Sequence, residues 1–299
     1  IPVDLLFRGT RMDITAHGGN TYGMKIAKVH AAIPDLLDPK GEVLELEGAA
    51  QGPTEDMLKF VEQSPVSGMI DDFTEGMHAG ANGKFTLKLN IPLRHSKDMH
   101  VSGSYQFVNN RVSLGNGLPQ LEQVNGKLEF SETQVKIPGM SFQALGGATT
   151  LDGATQKDGA IRLNLKGRAT ALGIARLGDN PLAQSLSGST EWRGQIAIRK
   201  KNAEFSVDST LLGLAANLPA PFAKKAAESV PFHAEKKNLG PQRDSWLISY
   251  GRMLSLQLQR RSDNGKTEVE RGVINIGAVN APLPPSGVWL NGELPYFDV

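Results

Sequence analysis

Six histidines, His17, His30, His78, His95, His100 and His233, are the side chains of this sequence best suited to acid–base or metal chemistry, and their spacing argues against both. A zinc enzyme holds two histidines three or four residues apart on a helix beside a carboxylate, and no such pair occurs. Each histidine reads as a structural or surface residue. The adjacent Asp71 and Asp72 offer oxygens to a cation, without the further ligands or the spacing of a calcium loop. Ser102-Gly103 and Ser187-Gly188 lack the Gly-x-Ser-x-Gly frame that sharpens a serine into a nucleophile. Gly80-Ala81-Asn82-Gly83-Lys84 is glycine-rich but precedes a strand pattern, so no helix dipole would greet a phosphate there. Zero cysteines exclude thiol catalysis, disulfides and thiolate-bound metals. The chain is expected to be no enzyme, with no cofactor, no metal and no catalytic residue.

The elements that would position any site are strands. Phe85, Leu87, Leu89, Ile91 and Leu93 alternate with Thr86, Lys88, Asn90 and Pro92, the two-residue period of a half-buried strand. That period returns at Leu128 and Phe130, at Val135 and Ile137, at Ile161, Leu163 and Leu165, at Ile196 and Ile198, and at Leu254, Leu256 and Leu258. Such strands either fill a sandwich or barrel with their own side chains or present an open apolar wall to a guest, and periodicity alone does not separate the two.

Composition narrows the architecture. Glycine is 33 of 299 residues, above the roughly 7% norm, while aromatics are 6%, which suits many turns and a thin sheet. Residues 1–299 are expected to form one elongated all-β segment, largely antiparallel, with a few short helices and a weak subdivision near 170–190. The first residues, with Val3, Leu5 and Phe7 already alternating, read as a strand of a fragment cut from a longer protein. No apolar run near 20 residues is present. Net charge is +1, with 32 basic and 31 acidic residues, too little field to gather nucleic acid. The basic pairs Lys200-Lys201, Lys224-Lys225, Lys236-Lys237 and Arg260-Arg261 read as solvated strand ends and loops.

Local signals predict the connections. Pro53 to Gln63 reads as a helix, with Glu55 and Asp56 near its positive end and Leu58 and Val61 on one side. A second short helix is expected over Phe222 to Glu228. Asn109-Asn110 predicts a tight hairpin between Phe107 and Val112, and the recurring Asn-Gly pairs at 82, 125 and 264 are hairpin signals. Pro282, Pro284 and Pro285 mark a connection.

The order of these segments resembles the AsmA-like proteins, in particular the large YhdP-type members of Gram-negative bacteria. The matching stretches are Lys84 to Leu93, Val101-Ser102-Gly103, Val108 to Leu114, Leu121 to Phe130, Leu186 to Gly194, Asp208 to Leu214 with Leu218-Pro219-Ala220-Pro221 and Lys224, and Arg271 to Gly277. The resemblance implies a repeated-strand groove of an inner-membrane-anchored, periplasmic protein that conducts phospholipids toward the outer membrane, contacting both membranes through parts outside this fragment. It favours the open groove, with Phe85, Leu87, Leu89, Ile91, Leu93, Leu128, Phe130, Val135, Ile137, Ile161, Leu163, Leu165, Trp192, Ile196 and Ile198 as its lining for acyl chains. Trp192 has the alternative of closing a core, where its indole N–H needs a partner. The competing expectation is a periplasmic assembly factor for outer-membrane proteins that pairs client strands at its sheet edges.

Overall fold

The computed structural model describes residues 2–63, 74, 76–113, 120–177, 183–199, 202–263, 266–277 and 279–293. Its contacts divide it into two units, Ile1–Phe142 with Asp152–Gly159, and Gln143–Leu151 with Ala160–Val299. Both are built from an open, largely antiparallel sheet, the all-β fold class that the alternating pattern predicts.

In the first unit, β1 (Val3–Arg8) pairs with β2 (Arg11–Ala16), and β2 with β4 (Met24–Ile33), which also carries the short β3 (Gly19–Thr21). The ladder continues through β5 (Val43–Pro53), β7 (Asn82–Pro92), β8 (His100–Ser113) and β9 (Leu121–Ser131), with β6 (His78–Gly80) on the far part of β8. Strand β10 (Val135–Ala144) follows from β9 through a turn closed by the Ser131 N–H donating to the Gln134 carbonyl.

Helix α1 (Thr54–Glu62) interrupts this ladder as expected. Pro53 precedes it in an extended conformation, Glu55 and Asp56 occupy the first turn, and Met57, Leu58 and Val61 form its buried side. That side packs on Met24, Phe85 and Tyr105, the core of the unit. Each such side chain contributes about 1.5–3 kcal/mol when fully buried.

Beneath the helix N-terminus lies a buried polar relay. The Tyr105 hydroxyl donates to Thr54 Oγ1 at 2.8 Å, Thr54 Oγ1 donates to Asn110 Oδ1, and Asn110 Nδ2 donates to the Asn82 carbonyl at 2.8 Å. Thr54 and Asn110 have no exposed surface and Tyr105 almost none. This relay corrects the expected hairpin at Asn109-Asn110. β8 runs straight through these residues, with Asn109 at positive φ and a break in register, because Asn110 is held inside the core instead of turning at the surface. Asn125-Gly126 likewise sits within β9, where Asn125 Oδ1 accepts the Asn109 N–H at 2.9 Å, so the two pairs meet at a bulge in which Val108 and Asn109 oppose the single Asn125. Residues 264 and 265 lie outside the described residues, as do Asp71 and Asp72.

In the second unit, β12 (Ile161–Thr170), β13 (Leu186–Arg199), β14 (Asn202–Ser209), β16 (Phe232–Gly240), β17 (Arg243–Tyr250), β18 (Leu254–Asp263) and β19 (Lys266–Ile276) pair in that order, each antiparallel to the next. Strand β20 (Gly287–Gly292) joins β19 in parallel after the proline-containing connection. Strand β11 (Gly147–Thr155) precedes β12, the short helix α2 (Ala171–Ala175) follows it, and β15 (Leu214–Ala216) pairs with the first residues of β13. The helix expected over Phe222 to Glu228 is not formed. Lys224 makes a β-bridge with Ala216 instead, and its buried ammonium donates to the Leu214 carbonyl at 2.7 Å and the Lys225 carbonyl at 3.1 Å. Burial pushes the Lys224 ammonium below its ordinary value.

Asn110→Ala should lower stability by about 2–4 kcal/mol in urea unfolding, since it strands the Thr54 hydroxyl and the Asn82 carbonyl in the core. Tyr105→Phe, which removes one donor at the relay's end, should cost about 1 kcal/mol. Equal, negligible losses for both would remove the relay from its structural role.

Candidate functional site

An antiparallel ladder places partnered residues on the same side of the sheet, so the registers sort the side chains into two faces. In the first unit one face carries the rows Leu46, Leu89 and Val101, then Gly48, Leu87, Gly103 and Phe130, then Ala50, Phe85, Tyr105 and Leu128, with Ile91 opposite Leu44. The other face of the same strands carries Glu45, Glu47, Lys84, Lys88, Asn90, His100 and Ser102.

Glycine lets the few large rings lie flat on the apolar face. A Cβ on Gly83 would collide with the Tyr105 hydroxyl, and one on Gly103 with the tip of Phe130. In the second unit Trp192 crosses two such gaps, its ring 3.0 Å from where a Cβ on Gly167 would stand and 3.1 Å from one on Gly194.

The rows of the second unit are longer. Leu163, Ile196, Phe205, Lys236, Trp246, Leu258 and Gly272 share one, and Leu165, Gly194, Val207, Ala234, Ile248, Leu256 and Ile274 share the next. Ile161 and Ile198 partner each other at the same face. Arg162, Lys166, Arg168, Glu191, Arg193, Glu235 and Lys237 stand on the opposite side.

Of the residues proposed as lining, Leu87, Leu89, Ile91, Leu128, Phe130, Ile161, Leu165, Trp192, Ile196 and Ile198 are half-buried on the apolar face. Val135, Ile137 and Leu163 are buried. The closing bond of the Ser131–Gln134 turn sets Val135 against Phe130 and Ile137 against Leu128. Phe85 is also buried, but under α1, where it serves the core. Leu93 falls in the turn after β7 and is 48% exposed, because the strand ends at Pro92. Among the described residues, α1 and α2 are the only α-helices, so most of each apolar face carries no helix.

Trp192 Nε1 is buried without a hydrogen-bond partner, as is Thr149 Oγ1 nearby. By register the indole belongs to the apolar face, lying over Gly167 and Gly194.

A depression of about 510 Å³ lies on the polar face of the first unit, lined by His30, Glu45, Glu47, Lys88, His100 and Glu132 among others. Its polar groups pair with one another, with Lys88 Nζ 3.0 Å from Glu47 and His100 Nδ1 3.1 Å from Glu132. His17, His30, His78 and His233 similarly meet Asp4, Asp13, Glu55 and Asp208. These are exposed or partly exposed surface pairs, of the kind that contributes little to stability. Among the described residues no group of three or more histidines and carboxylates could hold a metal ion.

The sequence pattern left one cluster unseen. Lys236, Asp244 and Arg260 are the charged side chains on the second unit's apolar rows among the described residues. Arg260 donates through Nε and Nη2 to both oxygens of Asp244, at 2.9 and 2.8 Å, and its guanidinium lies 4.9 Å from the Trp246 ring centre. Burial pushes the Asp244 carboxyl up, but Arg260, aided by Lys236, outweighs it and holds the group below the usual carboxylate range. Phase was the missed signal: Arg260 continues Leu254, Leu256 and Leu258, and Lys236 continues Phe232 and Ala234.

A carboxyl held low in the fold stabilises it above the unfolded-state value and loses that contribution as pH falls through the folded one. Asp244→Asn should therefore cost about 1–3 kcal/mol at pH 7, and the gap to the parent protein should narrow below about pH 4. Urea titrations at both pH values check this, and a gap independent of pH would contradict it.

No helix among the described residues is long and apolar enough to cross a membrane. Searches of curated proteins and of solved structures return no match. The family model described as YhdP protein matches residues 1–299. With that match spanning the whole length, and the two-faced sheet of the AsmA-like pattern in both units, the chain belongs to the YhdP family.

Proposed function

We propose that the chain is a lipid-conducting segment, its apolar face holding the acyl chains of phospholipids while headgroups stay at the wet margin. The observation that carries this reading is the half-buried apolar set of rows on one face of the sheet, charged in the described registers only at Lys236, Asp244 and Arg260 and without a helix over most of its length. A largely apolar face of this kind suits a ligand recognised by length and apolarity. Each buried methylene contributes about 0.8 kcal/mol. The reading assigns the protein no catalytic role. Membership of the YhdP family supports placing it in the Gram-negative envelope, on the periplasmic side, carrying phospholipid between inner and outer membranes.

Photo-crosslinking groups at Leu89 and Leu165 should capture phospholipid, and the same groups at the outward Lys88 and Lys166 should not. Mass spectrometry of the organic extract identifies the adduct. Among single-chain lipids of decreasing length, affinity should fall by up to about fourfold per methylene removed. Capture of a protein client at Leu89 and Leu165, with no lipid in the folded protein, would replace conduction by the strand-pairing scaffold.

A further inference from the structure

The acyl wall of the second unit ends at a charged cluster whose donors outnumber its acceptors. Lys236 and Arg260 carry two positive charges against the single carboxylate of Asp244, on a face that is otherwise uncharged in the described registers. Asp244 engages Arg260 through Nε and Nη2 only, and among the described residues Nη1 has no hydrogen-bond acceptor. The Lys236 ammonium is held loosely, 3.3 Å from the Ala203 carbonyl, 3.4 Å from Asn238 Oδ1 and 3.9 Å from Asp244 Oδ2. Trp246 Nε1 approaches the same carboxylate without completing a hydrogen bond. All three charged side chains are less than a third exposed, at 22% for Lys236, 14% for Asp244 and 29% for Arg260.

Desolvating two cations and one anion on an apolar surface is unfavourable, and an apolar trio of similar volume would hold the strands at least as well. What the cluster adds is a net positive charge with unused N–H groups beside the row Ala234, Ile248, Leu256 and Ile274. A phosphodiester complements it, because the oxygens of one anionic phosphate accept from an ammonium and a guanidinium together.

We propose that Lys236 and Arg260, set by Asp244, form a binding site for the anionic phosphate of a lipid headgroup whose acyl chains lie along the adjoining rows. Asp244 is a positioning residue here, holding Arg260 through Nε and Nη2 and leaving Nη1 for the ligand. The site rests on the lipid reading above and sharpens it to lipids with a negative phosphate.

The test offers the 299-residue protein mixed micelles with equal amounts of phosphatidylglycerol and a diacylglycerol of the same chains, and measures the ratio of the two retained by mass spectrometry. A ratio within one sample does not depend on how much protein is folded. The parent protein should favour phosphatidylglycerol by about tenfold, the scale of one charge-assisted hydrogen bond. Lys236→Met should bring the ratio close to one, and Lys236→Arg should restore it. Retention of both lipids at a ratio that Lys236→Met does not move overturns the headgroup site and leaves the acyl wall standing. Retention of neither lipid by folded protein overturns both. Calorimetric binding of inorganic phosphate that Lys236→Met abolishes, with no lipid retained, makes the cluster a free-phosphate site and overturns its assignment to a headgroup.

Discussion

Every structural property of this protein descends from the fact that a strand turns alternate side chains to opposite sides while its ladder keeps partners on the same side. Leu89 lies between Leu46 and Val101, and Lys88 lies between Glu47 and Ser102. A local rule of period two thereby becomes a long-range sorting of oil from charge. The sorting is self-reinforcing, because slipping one strand by one residue would bury Lys88 among leucines and expose Leu87 and Leu89 to water. The same apolar rows that bind the register are the surface on which the proposed function depends.

The two units use this surface differently. In the first, α1 closes part of it: Met57, Leu58 and Val61 settle over Phe85 and Tyr105, and the buried relay from Tyr105 through Thr54 to Asn110 ties the helix start to two strands. In the second, large rings occupy glycine gaps within the sheet, and the rows stretch from β12 to β19 with a single charged cluster. Glycine thus has a second duty beyond turns. At Gly103, Gly167 and Gly194 it makes room for a neighbour's ring on the wall.

The strands were legible because alternation is written directly in residue order, and the α1 helix because its proline, acidic first turn and apolar side agree. The Asn109-Asn110 and Asn125-Gly126 signals misled for one physical reason. Residues that tolerate positive φ serve a bulge as readily as a hairpin, and which one forms depends on partners such as Thr54 and Asn82 that are remote in sequence. The segment Phe222 to Glu228 lost its expected helix to a bridge between Lys224 and Ala216, again a distant partner. Among the site residues, the half-buried rows followed from phase alone. Phe85 required knowing where α1 packs, and Leu93 required knowing that the ladder stops at Pro92. Lys236 and Arg260 were hidden by their neighbours Lys237 and Arg261, which made each look like half of a solvated pair.

The bulges carry a consequence for how such a sheet changes over time. Register shifts occur at Ile26/Lys28, at Phe107/Asn110, at Asn110/Val112, at Asn238/Gly240 and at Gln259/Arg260. At each of them the odd–even count is already broken and restarted, so a single inserted or deleted residue there inverts nothing downstream. Within a regular stretch of ladder the same event would turn the rest of the strand inside out. These positions act as expansion joints, the places where a long β-wall can gain or shed length one residue at a time and keep its oily side continuous.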